Sequence, residues 1–319
     1  MQSTRLRIGV SSCLIGNNVR YNGGHLSDGF INNALEKYVE WVPVCPEVEA
    51  GMGVPREEVR LVGTAENPQM LGSRSKTDHT NQMLSWASGR VVALSQEHLD
   101  GFILTANSPS CGIFRVKVYS SKGSAPARNG MGFFARSLSS NYPDLPIEEN
   151  GRLHDPRIRE NFVERIFTRK RWNNAFSSAF NSHDLVEFHT SHKFAFMAHS
   201  VSLYREMGQL VAKAGLLSPV ELKDTYTALM SSALKQMATP KKHANVMQHI
   251  MGFLKDFIDA DDKKEITETI DRYRMEQVPL IVPITLLNHH LRKNSVSAWI
   301  LNQTYLNPYP TELLLRHSV

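Results

Sequence analysis

The sequence predicts an α/β domain followed by an all-α domain, the first built on a mostly parallel, Rossmann-like sheet flanked by helices. The first domain is predicted because short apolar, β-favouring runs alternate with helical patterns as far as residue 150. The second is predicted because strand signals stop at Pro156 and helical periodicity replaces them. The segment Asn150-Gly151-Arg152 separates the two patterns, so we expect domains at 1–150 and 151–319.

Within the first domain, strands and helices are expected in alternation. The apolar runs predict strands at 6–11, 41–44, 59–63, 101–104 and 114–119, with a last edge strand at 145–147. Helical patterns occupy 28–39, 77–100 and 129–141, and a turn-rich loop is expected at 51–56. Ser27 or Asp28 is suited to cap the first helix. Because a crossover helix between strands favours parallel pairing, this order predicts a three-layer domain.

The second domain is expected to consist of helices. Their predicted positions are 157–179, 184–214, 219–237, 241–259, 263–274 and 279–291, with a short one at 296–305. Pro219 and Pro240 follow Ser218 and Thr239 in the sequence, and proline is favoured in the first turn of a helix. The sequence shows neither an internal repeat nor a low-complexity tract.

Composition and charge describe an ordinary globular protein. The chain has 319 residues, of which 41% are hydrophobic and 21% charged, and no run approaches the ~18 apolar residues of a membrane span. Residues 1–7 lead into the first strand without a signal-peptide pattern, so we expect a cytoplasmic location. The first domain has 14 basic and 14 acidic residues, whereas the second has 22 and 17. A polyanionic partner is one explanation of this small surplus.

All three cysteines follow predicted strand ends. Cys13 follows the run 6–10, Cys45 follows 41–44, and Cys111 comes after 102–104 and a Ser-Pro-Ser turn. Because ligands bind at the carboxyl edge of an open α/β sheet, the three thiols can converge there. In a cytoplasmic protein, an odd number of cysteines favours a metal or catalytic role over disulfides.

The identity of a metal bound by these thiols stays open at this point. Thiolates suit zinc and iron–sulfur clusters alike, but the close Cys-x-x-Cys pairs typical of structural zinc are missing from the sequence. A four-iron cluster usually takes four cysteines, so three would leave one iron free to bind a substrate. Three unrelated buried cysteines are a further alternative. It is weakened because all three lie in turns rich in Gly, Pro and Ser.

Three motifs that contain these cysteines resemble the TudS-type thiouracil desulfidases, over residues 5 to about 145. They are Ser11-Ser12-Cys13-Leu14-Ile15-Gly16 with Val19-Arg20-Tyr21-Asn22-Gly23-Gly24, Cys45-Pro46-Glu47-Val48 with Gly51-Met52-Gly53-Val54-Pro55-Arg56, and Ser108-Pro109-Ser110-Cys111-Gly112. Family members often carry a lysine before the third motif, where this chain reads Thr105-Ala106-Asn107. This departure affects the expected detail of the pocket more than the reaction type.

The remainder of the chain resembles the YbgA-type helical domain that is often fused to this family. The resemblance lies in His192-Lys193, His199-Ser200, Tyr204-Arg205, 242–252, 279–283 and Tyr309-Pro310. Fused proteins are associated with removing sulfur from 4-thiouridine in transfer RNA, and single-domain proteins with free thiouracil.

The resemblance implies a [4Fe-4S] cluster on Cys13, Cys45 and Cys111, with one open iron that binds the thiocarbonyl sulfur. The expected reaction is a Lewis-acid-assisted hydrolysis that releases hydrosulfide and needs no external electron. Glu47, two residues from a ligand, is expected to transfer protons to and from the attacking water. A helix cap or an ion pair is the structural alternative for this carboxylate.

Five further residues of the first domain are candidates beside the cluster. Ser108 and Ser110 are expected to orient the water or to donate a hydrogen bond to the developing charge, although a Ser-Pro-Ser turn needs no functional reason. Arg20, Tyr21 and Arg56 are candidates for lining the substrate entrance, or for anchoring loops.

In the helical domain, seven polar residues are candidate RNA contacts. They are His192, Lys193, Arg205, Lys241, Lys242, Asn245 and His249. A helix N-terminus near Lys241 also attracts phosphate, but each residue would equally suit a solvated helix face. We expect transfer RNA as the partner, bound through shape and phosphates while the target base leaves its stack. Neither a membrane nor an obligatory protein partner is expected.

Two alternative functions remain open. One is the same chemistry on a free thiouracil or thionucleoside. The other is a non-catalytic RNA-binding or iron-sensing protein whose cluster is structural.

Overall fold

The computed structural model of this chain describes residues 5–120 and 125–319. The chain forms two compact units, the first ending at His154 and the second beginning at Asp155. Residues 1–4 of the expected N-terminal segment lie outside the described residues. In the described part of the chain, no helix combines the length and the apolar character needed to cross a membrane.

The first unit contains eight strands and three α-helices in its described residues. The strands are β1 (Leu6–Ser11), β2 (Val39–Val44), β3 (Val59–Gly63), β4 (Pro68–Gly72), β5 (Gly101–Leu104), β6 (Val116–Tyr119), β7 (Ala127–Gly130) and β8 (Ile147–Glu149). The helices are α1 (Pro46–Glu49), α2 (Thr80–Leu94) and α3 (Phe133–Asn141).

Four of these strands form a wholly parallel sheet in the order β2-β1-β5-β8, which confirms the predicted α/β class. The central strands β1 and β5 are buried on both faces, as strands of a covered parallel sheet are. In β1, Ile8 and Val10 are fully buried, and Phe102 of β5 packs so closely on Gly9 that any side chain at position 9 would clash. Since the strands run in one direction, the carboxyl ends of β1, β2 and β5 share one edge of the sheet.

The other four strands form a second sheet, in the order β4-β3-β6-β7. Only the β3–β6 pair is parallel, while β3–β4 and β6–β7 are antiparallel. The expectation of one three-layer sheet is therefore corrected to two sheets. Two of the strands were missed because β4 lies in a polar stretch and β7 has an exposed Ala-Arg-Asn sequence that lacks an apolar alternation. The helix predicted at 129–141 accordingly begins only at Phe133.

The helix predicted at 28–39 is also different in the structure. A π-helical turn at Phe30–Leu35 continues into a 3-10 turn at Glu36–Tyr38. The Asp28 carboxylate accepts hydrogen bonds from the N–H groups of Phe30 (3.0 Å) and Ile31 (3.2 Å), which is the capping role expected of it. Ile31 and Leu35, four residues apart, are the buried residues of the π-helical turn.

The second unit is helical throughout its described residues, apart from connecting turns and loops. Its α-helices are α4 (Pro156–Ala175), α5 (Ser182–His199), α6 (Val201–Ala212), α7 (Pro219–Lys235), α8 (Pro240–Met251), α9 (Ala260–Arg274), α10 (Ile281–Lys293) and α11 (Ala298–Leu301). The predicted starts at Pro219 and Pro240 are confirmed, because the Ser218 and Thr239 side chains accept from backbone N–H groups in the first turns.

The single helix predicted at 184–214 is wrong, since the chain breaks it at Ser200. The backbone of Ser200 is extended, with φ −156° and ψ 108°, and its side chain accepts from the N–H of Leu203 as the cap of α6. A serine side chain that accepts from a backbone N–H can end one helix and begin the next. An apolar pattern that continues past such a serine can therefore belong to two helices.

Candidate active site

A cavity of about 400 Å³ is lined by all three cysteines, at the carboxyl edge of the parallel sheet. Cys13 lies in a 3-10 turn that follows β1 directly, and Cys45 follows β2 directly. Cys111 lies in the loop after β5. The structure therefore brings together thiols from three strand ends that are up to 98 residues apart in the sequence.

Burial raises the pKa of each of these thiols. For Cys45, desolvation and then the Glu47 charge raise the pKa to about 12. For Cys111, desolvation comes first, then Glu47, and the charges of Cys13 and Cys45 raise the pKa further. Desolvation is also the main cause of the raised pKa of Cys13. Because each thiolate disfavours the others, three thiolates in this cavity need a positively charged centre to stabilise them.

This donor set fits an iron–sulfur cluster better than a single zinc ion. Among the described residues, the three potential ligands that lie within 4.8 Å of one another are His183, Asp184 and Glu187, not the cysteines. A tetrahedral zinc ion, about 2.3 Å from each sulfur, would hold the sulfurs about 3.8 Å apart. At least one pair of the cysteine sulfurs is therefore more than 4.8 Å apart. This separation, and a donor set made only of sulfur, suit a multinuclear centre.

Glu47 lies in α1, on the wall of the same cavity. One of its carboxylate oxygens is 3.8 Å from the Cys45 sulfur and 3.7 Å from a guanidinium nitrogen of Arg56. Arg56 also donates to the carbonyl oxygens of Val19 (2.9 Å) and Gly53 (3.0 Å). Arg56 is thus both a loop anchor and the ion-pair partner of Glu47.

Arg20 and Tyr21 line the cavity as well. The Arg20 guanidinium lies 5.8 Å from the centre of the Tyr21 ring. A hydrogen bond to Glu58 raises the pKa of the Tyr21 phenol, so this side chain stays a neutral donor and acceptor. Arg20 and Tyr21 therefore contact each other and also line the cavity.

The two candidate serines have different surroundings. Ser108 lines the cavity, and its hydroxyl oxygen accepts from the N–H groups of Ser110 (3.2 Å) and Cys111 (3.1 Å). The Ser110 side chain is fully buried, does not line the cavity, and its hydroxyl has no hydrogen-bond partner in the described part of the chain. The structure thus places the Ser110 side chain behind the cavity lining, whereas Ser108 lies in the lining.

Sequence reasoning missed Thr105, which contacts the Cys13 thiol, and Ser11, which holds Thr105. Thr105 Oγ1 is 3.2 Å from Cys13 Sγ, and the Thr105 N–H donates to Ser11 Oγ at 3.0 Å. The second sheet contributes Arg60 of β3 and Lys117 of β6 to the lining, and Glu58 lines it from the residue before β3. Ser11 and Thr105 lie at the ends of predicted strands, and this position could have marked them as site residues. The lining residues near the second sheet could not be found in this way, because a second sheet was not predicted.

In the helical unit, four of the seven candidates are exposed. They are Arg205 on α6 and Lys241, Asn245 and His249 on α8. Lys193 is half-buried, and its ammonium group lies 4.1 Å from the centre of the Trp299 ring.

The remaining two candidates have structural roles. His192 is 3% exposed, stacks on Phe188 with ring centres 4.0 Å apart, and has a pKa that burial lowers to about 3. The Lys242 ammonium group donates to the carbonyl oxygens of His199 (2.6 Å) and Met237 (3.1 Å). The structure therefore places His192 in the core as a neutral ring, and it places the Lys242 ammonium group against two backbone carbonyls.

Two family models match this chain. Residues 8–150 match the model described as 2-thiouracil desulfurase, and residues 193–310 match the model DUF1722, a protein family of unknown function.

Individual relatives match parts of the chain. The uncharacterized protein YbgA of Escherichia coli K12 is 30% identical over 135 residues, which is 42% of this chain and 79% of that protein. The uncharacterized protein YbbK of Bacillus subtilis 168 is 32% identical over 108 residues, which is 32% of this chain and 71% of that protein. A solved structure described as the [4Fe-4S]-dependent thiouracil desulfidase TudS is 23% identical, with a TM-score of 0.38, and covers 47% of this chain and 95% of its own.

Proposed function

Since this chain belongs to the 2-thiouracil desulfurase family through residues 8–150 and to the YbgA-like DUF1722 family through residues 193–310, we propose that it is a desulfidase of thiolated uracil. The observation that supports this most is the meeting of three cysteines and one carboxylate in a single cavity. The reaction replaces the sulfur of a thiocarbonyl group by the oxygen of water and releases hydrogen sulfide.

We propose that Cys13, Cys45 and Cys111 hold a [4Fe-4S] cluster in this cavity. When bound, the cluster would supply a Lewis-acidic iron that polarises the carbon–sulfur bond of the substrate. The mutual destabilisation of the three thiolates supports the assignment, because a cationic centre relieves it. Cys13 is more exposed than the other two cysteines, so it would be the ligand most accessible from the cavity.

Glu47 would serve as the proton-transfer group. Its carboxylate would take a proton from the water that attacks the thiocarbonyl carbon, and would then return that proton to the ring nitrogen or the leaving sulfur. Arg56 holds the carboxylate on the cavity wall through the 3.7 Å ion pair. The side chains of Glu47 and Arg56 are 12% and 9% exposed, so bulk water competes little with the substrate for Glu47.

Ser108 would supply a hydrogen bond. Its oxygen already accepts from two backbone N–H groups, which leaves the hydroxyl proton free to point into the cavity. A donor placed there can orient the water or stabilise the charge that develops on the substrate.

The proposed substrate is 4-thiouridine in transfer RNA. Lys241, Asn245 and His249 are exposed at intervals of four residues and form one stripe along α8. Phe253, 40% exposed, continues the same spacing. A stripe of a cation, hydrogen-bonding groups and an aromatic ring suits phosphates and unstacked bases of RNA. The helical unit would then bind the RNA body, while the cysteine cavity receives the flipped base.

The test is an anaerobic reconstitution of the full chain, with iron and sulfide counted per protein. Thiolated transfer RNA and free thiouracil are then offered in parallel, and loss of thiocarbonyl absorbance and release of sulfide are followed. Turnover of the RNA supports the whole proposal. Turnover of the free base alone rejects the RNA substrate but keeps the chemistry. A colourless protein with stoichiometric zinc rejects the cluster.

A further inference from the structure

We infer that Thr105 is a positioning residue whose hydroxyl group donates a hydrogen bond to the sulfur of Cys13, and that Ser11 holds Thr105 in place. The role of Thr105 would be to withdraw negative charge from one of the three cysteine ligands. The inference rests on the proposed function, because it concerns the cluster that these cysteines would hold.

The sheet topology brings the two hydroxyl groups together. Strands β1 and β5 are parallel neighbours, with Val10 opposite Ile103. Ser11 is the last residue of β1, and Thr105 is the first residue after β5, so both reach the same edge. The Thr105 N–H donates to Ser11 Oγ at 3.0 Å and links the two residues across 94 positions of sequence.

The direction of each hydrogen bond follows from what each atom already does. Ser11 Oγ accepts from the Thr105 N–H, and this bond ties the Thr105 backbone to the end of β1. Ser11 is only 2% exposed, so little water can reach this bond. At Cys13, the 3.2 Å contact joins Sγ to Thr105 Oγ1. A thiolate that binds iron has no proton, so Thr105 must be the donor there.

Cys45 lies in different surroundings. Its sulfur is 3.8 Å from the carbonyl oxygen of Val19 and 3.8 Å from a carboxylate oxygen of Glu47, both of which are acceptors. Cys13 therefore has a side-chain hydroxyl donor, whereas these two partners of the Cys45 sulfur are acceptors. Hydrogen bonds to cysteine sulfurs are among the features that set the potential of an iron–sulfur centre, and ligand partners of this kind tune metal affinity.

The test compares Thr105→Val, Thr105→Ser and Ser11→Ala with the parent, each as the reconstituted full chain. Thr105→Val removes the hydroxyl group but keeps the backbone N–H that donates to Ser11. The midpoint potential of the cluster is measured by a redox titration followed by electron paramagnetic resonance, and iron loss is followed with a chelator. We expect a more negative potential and several-fold faster iron loss in Thr105→Val, a smaller change in the same direction in Ser11→Ala, and the parental values restored in Thr105→Ser.

Ser12→Ala is the matched control. This residue is also buried in the first cysteine motif, but its hydroxyl oxygen accepts from the Asn17 side chain at 2.8 Å. Its removal is expected to leave the potential unchanged. A potential of Thr105→Val equal to that of the parent overturns the inference, because a purely structural hydroxyl group would not move this property. A parent chain that binds no iron and sulfide overturns the proposed function itself, and the inference with it.

Discussion

The Glu47 carboxylate and the Arg56 guanidinium group form an ion pair of 3.7 Å on the wall of the cysteine cavity, with both side chains nearly buried. Arg56 donates to carbonyl oxygens of two loops at the same time. From the sequence, the loop at 51–56 is only a turn-rich connection. In the structure its last residue, Arg56, holds the Glu47 carboxylate 3.8 Å from the Cys45 sulfur.

Replacement of this carboxylate tests the proton-transfer role. Glu47→Gln should keep the cluster but lower the rate of sulfide release by about 10²–10⁴-fold, because an amide cannot exchange a proton with the water. Iron content, absorption spectrum and single-turnover rate give the measurement. Glu97→Gln is the control, since Glu97 pairs with Arg7 at 2.6 Å and does not line the cavity. A Glu47→Gln rate equal to that of the parent would reject the proton-transfer role of Glu47.

The two serines should separate in their effects. Ser108→Ala is expected to lower turnover by about 10²-fold or more, as the loss of a positioned donor usually does. Ser110→Ala should leave turnover near the parental value and keep or increase stability, since it removes a buried hydroxyl group that has no partner among the described residues. Rates and urea-denaturation midpoints of both variants provide the comparison. A loss of turnover in Ser110→Ala alone would contradict the placement of these side chains.

The helical unit should show a pH-dependent stability that arises at His199. Its ring nitrogens face the Gln236 carbonyl oxygen (2.6 Å) and a Glu164 carboxylate oxygen (3.2 Å), so both nitrogens must carry protons. Burial alone would lower the pKa of His199, but the Glu164 charge and the hydrogen bonds outweigh it and raise the pKa. A raised folded-state pKa means that the contribution is complete below about pH 6.5 and is lost as the pH rises through the folded value.

Nearby ionisable groups do not reverse this trend. Glu160 and Arg316 also influence the buried pair, and His243 has a pKa that burial lowers to about 3, so its ring stays neutral above pH 6.5. Unfolding free energy, measured in urea between pH 6 and 9, should therefore fall toward alkaline pH. His199→Gln should flatten this dependence and cost about 3–5 kcal/mol, because it leaves Glu164 buried and unpaired.

An exposed pair of the same kind is the control for this prediction. His183 and Glu187 lie 3.6 Å apart with side chains 80% and 71% exposed. Exposed pairs contribute little, so His183→Gln should change stability by less than about 1 kcal/mol. A pH dependence that persists in His199→Gln would assign the titration to another group.

Binding of RNA should depend on the exposed stripe of α8. Lys241→Gln is expected to weaken binding of transfer RNA and to reduce the slope of log K against log salt by about 0.7–0.9, since one phosphate contact is lost. Filter binding at several salt concentrations measures both quantities. Lys264→Gln is the control, because Lys264 is equally a surface lysine but lies 4.0 Å from Glu268 on α9. Identical slopes for the two variants would exclude Lys241 from the interface.

Local patterns predicted the elements that are apolar and regular. The short apolar runs that contain Ile8, Val10 and Phe102 were sufficient to predict the parallel strands β1 and β5. Pro219 and Pro240 predicted helix starts that the structure confirms. Elements that depend on their neighbours were missed. Strand β7 has three exposed residues and exists because β6 lies beside it, and Ser200 ends a helix whose apolar pattern continues.

The sequence by itself determined that the three cysteines follow strand ends, because alternating apolar runs and turn residues are local signals and parallel strands end at one edge. The tertiary structure alone decided which side chains meet there. It turned Ser110 away from the cavity, buried His192, and joined Ser11 to Thr105 across 94 residues. Such contacts depend on strand register and on the packing of distant segments, and a one-dimensional pattern contains neither.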